Sequence, residues 1–335
     1  MAVRVAINGF GRIGRLVLRS IIENDRKDIE VVAINDLGPV ATNAHLLEFD
    51  SVHGRLSEKV EVDGDTITVG DRKILCTAVR DPADLPHAEL DIDIAMECTG
   101  IFTKRDGAEK HLKAGAKRVL ISAPGTDSDA TIVYGVNHET LTADDKIVSN
   151  ASCTTNCLSP VAKVLNDTVG IARGYMTTVH AYTGDQPTLD RMHGDLYRAR
   201  AAASNMIPTS TGAAKAVGLV LPELAGKLNG SAVRVPTPNV SMIDLVFDAG
   251  KATTVEEINN AIKAAADGPM KGVLGYTDKP LVSMDLNHDP HSSTFALDQT
   301  HVTEGTLVRV LSWYDNEWGF ATRMSDTALA LAKFL

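Results

Sequence analysis

Cysteine is scarce: four in 335 residues. That is too few to staple a chain of this length, so a disulfide framework is excluded and a reducing cytoplasm is the expected compartment. No apolar run reaches the ~18 residues that a membrane-spanning helix needs. The opening MAVRVAINGF also lacks the charged, then apolar, then small-residue layout of a secretory signal. Positive charge is short as well. The 33 lysines and arginines are outnumbered by 43 acids, leaving a net charge of -10; this argues against nucleic acid or a membrane surface as general partners. Repeats, low-complexity tracts and disordered linkers are absent. No convergent set of histidines and cysteines points to a metal, and none is expected.

What is present is ordinary globular material, 44% apolar and 23% charged, enough for a sizeable core. The length predicts two domains. In the first half, β-type runs alternate with helical patterns. VRVAI (3–7) and EVVAIND (30–36) flank a helix with Ile13, Leu16, Val17 and Ile21 at helical spacing. Further runs follow at 66–70, 73–79, 92–100, 118–124 and 129–137, with a helical stretch RDGAEKHLKAG ahead of the fourth of them. Such alternation indicates a mostly parallel sheet covered by helices. Beyond a helix at about 153–167, long β-rich runs at 174–183, 231–248, 281–287 and 306–315 predict a mixed or antiparallel sheet. A second helix is capped by Thr254 and Glu257 and stopped by Gly268. The last stretch, EWGFATRMSDTALALAKFL, predicts a C-terminal helix. The polar segment 185–205 fits no element; long irregular loops are usually functional or interfacial.

NGFGRIGR places Gly9, Gly11 and Gly14 in a G-x-G-x-x-G spacing between a predicted strand and a predicted helix. Gly9 suits a tight turn, Gly11 the approach of a pyrophosphate, and Gly14 close packing of helix on strand. The acid expected about twenty residues on is Asp36, placed to bind a ribose and to repel a 2′-phosphate. Leu37 follows with no positive charge, so NAD is favoured over NADP.

SNASCTTNC (149–157) sets Cys153 among uncharged side chains. An inert buried cysteine is the default reading. Against it, Ser152 is a good N-cap, which puts Cys153 in a first helical turn where the dipole favours a thiolate. Cys157, one turn deeper, suits the inert role. His180 ends an apolar run, where a strand would present a base. A thiol, an imidazole and a nicotinamide together suit aldehyde oxidation through a thioester. Hydroxyls and Gly212 open a helix at TSTGAAKAV, which suits a capped helix and a phosphate site alike. Arg234 lies inside an apolar strand and needs an anion. Thr183 adds a hydroxyl three residues after His180, and Arg198 and Arg200 end the polar loop, one of them open to being a plain surface charge.

Together INGFGRIGR, SNASCTTNC, HAYTGDQ, PTSTGAAKAV, RVPTPNVS and WYDNEWG, in that order along the whole chain, resemble the phosphorylating glyceraldehyde-3-phosphate dehydrogenase family, bacterial type. The resemblance implies an α/β fold class: an N-terminal Rossmann dinucleotide-binding domain, 1–151 completed by 316–335, and an α+β catalytic domain, 152–315. It implies a cytoplasmic homotetramer that oxidises D-glyceraldehyde 3-phosphate with NAD and inorganic phosphate, a step shared by glycolysis and gluconeogenesis. By motif match Cys153 would be the nucleophile and His180 its base. Thr183 and Arg234 would hold the substrate phosphate. Ser152, Thr154, Thr211 and Gly212, with Arg198 nearby, would receive inorganic phosphate. Arg12, Ile13, Asp36, Arg80, Ser122 and Asn316 would contact NAD, beside the glycine turn. The loop 185–205 would line a neighbouring subunit's cofactor site. Met192 and Phe320 stand where many members carry proline and tyrosine, and they bear on the strictness of NAD selection. Rival readings are an erythrose-4-phosphate dehydrogenase, a semialdehyde dehydrogenase, and a non-catalytic NAD-binding regulator or adhesion protein.

Overall fold

The computed structural model describes residues 2–335, and the chain divides into two compact units. The first comprises Met1–Ile132, His138–Ala151 and Ala321–Leu335; the second comprises Val133–Asn137 and Ser152–Phe320.

In the first unit the chain runs β1 (Val3–Asn8), α1 (Arg12–Glu23), β2 (Ile29–Asn35), α2 (Val40–Glu48) and a short pair, β3 (Phe49–Asp50) and β4 (Gly54–Arg55). Then come β5 (Val60–Asp63), β6 (Thr66–Val69), β7 (Arg72–Thr77), β8 (Ile94–Glu97), α3 (Arg105–Lys113), β9 (Arg118–Ile121), β10 (Ala130–Thr131) and β11 (Ile147–Ser149). Nine of these strands form one sheet, ordered β10-β11-β9-β8-β1-β2-β7-β6-β5. Pairing is parallel from β10 to β7, and a hairpin adds β6 and β5 antiparallel at the edge. The strand order reverses between β1 and β8, the switch point at which open α/β sheets bind ligands. Val5, Ile7, Ile94, Ala95 and Met96 are all fully buried. Both faces of these central strands are covered, which explains why they read as unbroken apolar runs.

In the second unit the order is α4 (Cys153–Val169), β12 (Ile171–Ala181), β13 (Ile207–Thr209), α5 (Ala213–Val220), β14 (Leu228–Val235), β15 (Ser241–Ala249) and α6 (Val255–Asp267). β16 (Leu274–Thr277), β17 (Ser293–Ala296), β18 (His301–Thr303), β19 (Leu307–Tyr314) and α7 (Trp318–Ala332) follow, and α7 passes into the residues of the first unit at Ala321. The sheet runs β13-β14-β12-β15-β19-β17-β16, with β18 on β19. Only β12 with β14 and β16 with β17 are parallel, so the sheet is mixed, as the sequence indicates. The period of two sorts its faces. Met176, Thr178, Ile243, Leu245, Phe247 and Val310 are buried on the side where α4 packs on β17 and β19. Tyr175, Val246 and Leu307 are exposed on the other side.

Two expected strands are not formed. Of 129–137 only Ala130–Thr131 is extended. Beyond it the Val133 N–H donates to Asn137 Oδ1 at 2.8 Å and the Asn137 N–H returns a bond to the Val133 carbonyl, closing a turn. The run 281–287 is a short 3-10 turn, because the Asp285 carboxylate accepts from the Val282 N–H at 2.8 Å; such local side-chain bonds compete with strand pairing. The long run 231–248 is two strands, parted at the prolines Pro236 and Pro238. Helix α2 has no counterpart among the sequence expectations.

Candidate active site

In the first unit, β1 delivers the chain to the glycine turn and α1 leads it away. Gly9 has φ +89°, and a Cβ there would lie 2.6 Å from the Thr99 backbone nitrogen. A Cβ on Gly14 would lie 2.1 Å from the Gly9 carbonyl oxygen. Gly11 differs: a Cβ there would meet no atom within 4 Å. Its smallness serves nothing inside the chain, and the open space lies at the N-terminus of α1, which no side chain caps. That is where an anionic group is best received.

Asp36, just past β2, is held on both oxygens: Oδ2 accepts the Phe10 N–H at 2.9 Å and Oδ1 the Gly38 N–H at 2.9 Å. It borders a cleft of about 390 Å³ with Ile34, Gly38, Asn43 and Thr77. Arg12 pairs with Asp50. Burial alone would raise the Asp50 carboxyl, but Arg12 and the N–H groups of His53 and Val52 together hold it at about 2. Ile13 is half-buried. Arg80 is exposed beyond β7, and Ser122 follows β9, its N–H bonded to the Glu97 carbonyl at 2.9 Å. The glycines and Asp36 thus share one end of the sheet. The open space at Gly11 and the fixed carboxylate fit a dinucleotide.

In the second unit, Ser152 caps α4: its Oγ accepts the Thr155 N–H at 3.0 Å. Cys153 is therefore the first helical residue. Its Sγ lies 3.4 Å from His180 Nε2. His180 sits near the end of β12, only 4% exposed, and its Nδ1 bonds the Ala181 carbonyl at 2.7 Å. A carbonyl can only accept, so Nδ1 carries the proton and Nε2 turns its lone pair to the thiol. Burial pushes the Cys153 thiol up, opposed by Arg234, by the Thr154 hydroxyl and by the backbone N–H groups of Thr154 and Cys153. Burial also pushes His180 down to about 3, with Arg234 acting in the same direction. The sequence places Cys153 where the helix N-terminus favours a thiolate; here burial outweighs that pull and keeps the thiol above its ordinary value. Charge on either group alone is disfavoured; thiolate and imidazolium side by side offset one another. The geometry allows a proton to pass between Sγ and Nε2.

Register explains the next neighbour. His180 and Arg234 are partners across β12 and β14. Arg234 Nη1 donates to the Ala181 carbonyl at 3.2 Å and to Thr183 Oγ1 at 2.7 Å, while its Nε is buried without a partner. Arg198 Nε donates to Thr209 Oγ1 at 3.0 Å. Thr154 Oγ1 meets the Tyr314 hydroxyl at 2.8 Å. Asn316 is buried, its Oδ1 accepting from Ser241 Oγ at 2.7 Å; that oxygen accepts the Ala181 N–H in turn. Gly212 caps α5, and Thr211 Oγ1 accepts the Ala213 N–H at 3.1 Å. A chain of contacts thus joins Cys153, His180, Arg234 and Thr183, whereas Thr211 and Gly212 make no direct bond to that set. Arg200 pairs with Asp190 instead. All four cysteines are free; Cys157 is fully buried beside Ser293, its thiol pushed up to about 12.

Two contributors escape sequence reading. Tyr314, the last inward residue of β19, bridges Thr154 and Thr178 through its hydroxyl at 2.8 and 2.9 Å and presents its ring edge-on to His180 at 5.9 Å. Asp185 stands between Thr183 and Arg198. The signal for Tyr314 was its place at the end of a β run; Asp185 lay unmarked in a polar loop.

A family model described as the NAD binding domain of glyceraldehyde 3-phosphate dehydrogenase matches residues 3–105, and one for the C-terminal domain of that enzyme matches 152–316. The chain is 73% identical over 333 residues to a glyceraldehyde-3-phosphate dehydrogenase of Xanthobacter flavus, covering 99% of both chains. It is 70% identical to that of Cereibacter sphaeroides over 335 residues, all of both chains. With that of Zymomonas mobilis it shares 60% over 337 residues, again the full length of both.

Proposed function

The chain belongs to the glyceraldehyde-3-phosphate dehydrogenase family, and from that premise we infer that it oxidises D-glyceraldehyde 3-phosphate with NAD and inorganic phosphate to 1,3-bisphosphoglycerate. The observation that carries the reading is the 3.4 Å approach of Cys153 Sγ to the unprotonated Nε2 of His180. Sγ adds to the aldehyde carbon while its proton passes to Nε2, and a hemithioacetal forms. NAD, when bound, supplies the hydride acceptor that leaves a thioester on Cys153. Nε2 hands that proton to the new alkoxide oxygen, which leaves His180 neutral, and His180 takes the hydroxyl proton back as the hydride departs. Inorganic phosphate then attacks the thioester carbon, the C–S bond breaks, and the thiol is restored.

Thr183 and Arg234 hold the substrate phosphate; the buried unpartnered Nε of Arg234 supports this role. Ser152, Thr154, Thr211, Gly212 and Arg198 receive the attacking phosphate. Gly9, Gly11, Arg12, Ile13, Gly14, Asp36, Arg80, Ser122 and Asn316 serve NAD. On this reading residues 1–151 and 316–335 form the cofactor domain and 152–315 the catalytic one. The assembly is a homotetramer, supported by the apolar residues left open on the second sheet and by Leu189, Met192, Leu196 and Tyr197, all exposed in the loop 185–205. The compartment of this reading is the cytoplasm, as the family resemblance implies. No helix among the described residues is long and apolar enough to cross a membrane.

The test is NADH formation with D-glyceraldehyde 3-phosphate and with erythrose 4-phosphate, each with and without inorganic phosphate, and with NADP replacing NAD. Steady-state turnover that ignores phosphate overturns the reading. Cys153→Ala is expected to abolish turnover while NAD still binds in a fluorescence titration.

A further inference from the structure

The loop after β12 returns a carboxylate to the anion pocket. Asp185 Oδ1 accepts the Thr183 hydroxyl proton, and Oδ2 accepts from Arg198 Nη1 at 3.3 Å. Thr183 Oγ1 in turn accepts from Arg234 Nη1 at 2.7 Å. Arg198 is anchored from its other edge by Thr209, with Asp195 at 3.8 Å. The Nε of Arg234 is buried unpartnered. Asp185 is thus the acid standing between two donor groups, Thr183 with Arg234 on one side and Arg198 on the other, while Thr209 gives its own hydroxyl proton to Asp195 at 3.1 Å. Its side chain is 42% exposed, so it has solvent to move into.

We propose that Asp185 is a displaceable internal anion that occupies the donors of the two phosphate subsites and couples them. The inference rests on the function proposed above. A threonine hydroxyl has one proton. While that proton is given to Asp185, it is withheld from a phosphoryl oxygen. A phosphoryl dianion arriving at Arg234 and Thr183 competes for the proton and repels the carboxylate at short range. Asp185 then turns to solvent, Arg198 Nη1 loses its partner, and the second anion finds a free guanidinium edge. Binding at one subsite thereby favours binding at the other, and linkage makes the effect reciprocal. A neutral aldehyde lacks the charge to displace the carboxylate, so Asp185 also selects for phosphorylated substrates.

Asp185→Asn keeps the shape and an acceptor for Thr183 but removes the charge. Isothermal titration of the chain with inorganic phosphate, in the absence of aldehyde, is expected to show affinity raised on the order of tenfold in the variant, within the usual span of coupling between sites. In turnover, KM for D-glyceraldehyde 3-phosphate is expected to fall more than kcat changes, and KM for phosphate to lose its dependence on aldehyde concentration. Asp185→Ala, checked for an unchanged melting temperature, is expected to act in the same direction. Equal or weaker phosphate binding in both variants overturns the proposal. Phosphate-independent turnover of the unaltered chain overturns the proposed function instead, and the calorimetric comparison still decides the role of Asp185.

Discussion

His180 carries the sharpest residue-scale consequence. Its Nδ1 is committed to the Ala181 carbonyl, so the whole basic capacity of the ring is at Nε2. The Cys153 thiol is pushed up by burial, and Nε2 is the base that faces it. His180→Asn is therefore expected to slow alkylation of Cys153 by iodoacetamide at neutral pH about tenfold or more, since the thiolate is the reacting species. Turnover is expected to fall by roughly 10²–10⁴, with NAD binding kept. A variant alkylated at the original rate would remove His180 from the proton path. A histidine pair tests burial in the other unit. His87 Nε2 meets His111 Nδ1 at 3.1 Å, and His111 Nε2 meets the buried Glu97 at 3.0 Å. Burial, and next the neighbouring His111, holds His87 down at about 4 against its ordinary 6.5. Because the folded value lies below the unfolded one, this contribution is complete above pH 6.5 and is lost as pH falls through about 4. Urea titrations across that window are expected to show a stability loss of a few kcal/mol, reduced in His87→Gln. An unchanged slope in the variant would assign the acid sensitivity elsewhere.

At the scale of elements, the turn from β1 into α1 separates folding from binding within one motif. Gly14→Ala drives a methyl into the Gly9 carbonyl, and melting temperature is expected to fall sharply. Gly11→Ala meets nothing, so melting of the cofactor-free chain should stay put, within the roughly 0.5 kcal/mol typical of harmless surface changes. NAD affinity should nevertheless drop, because the added methyl takes the space beside the helix N-terminus. Normal NAD binding by the Gly11→Ala variant would move the pyrophosphate elsewhere. Helix α4 shows the same economy in another form. The Ser152 cap that starts the helix also fixes where the Cys153 side chain projects. Strand β12 then sets His180 opposite it, because alternation along Met176, Thr178 and His180 turns all three to the buried side of the sheet.

At the scale of the whole molecule, the open side of the second sheet is what calls for explanation. Tyr175 is 50% exposed, and Val246 and Leu307 stand beside it, framed by the exposed Arg173–Asp248 pair. In the tetramer proposed above, this face is a candidate subunit contact. Val246→Asp is expected to lower the oligomer size in sedimentation and to lower stability in a concentration-dependent way. A variant of unchanged size would place the subunit contacts on other surfaces. The net charge of -10 favours solubility of whatever species results.

The parallel sheet, the capped helices at Cys153 and Thr254, the glycine turn and the pairing of a cysteine with a histidine were all legible in the sequence. Each depends on near neighbours: periodicity, a cap three residues away, a turn that only glycine can make. The overreadings were local too. The runs at 129–137 and 281–287 look extended by composition but are bent by Asn137 and Asp285, whose side chains bond their own backbone. What tertiary structure alone decided were the relations between distant segments. Tyr314 lies under Thr154 across 160 residues, and Arg234 lies beside His180 because β14 pairs with β12 in one register. Burial belongs to the same class. Whether Cys153 rests as thiol or thiolate depends on the water excluded by the folded unit around it, and no stretch of nine residues contains that information.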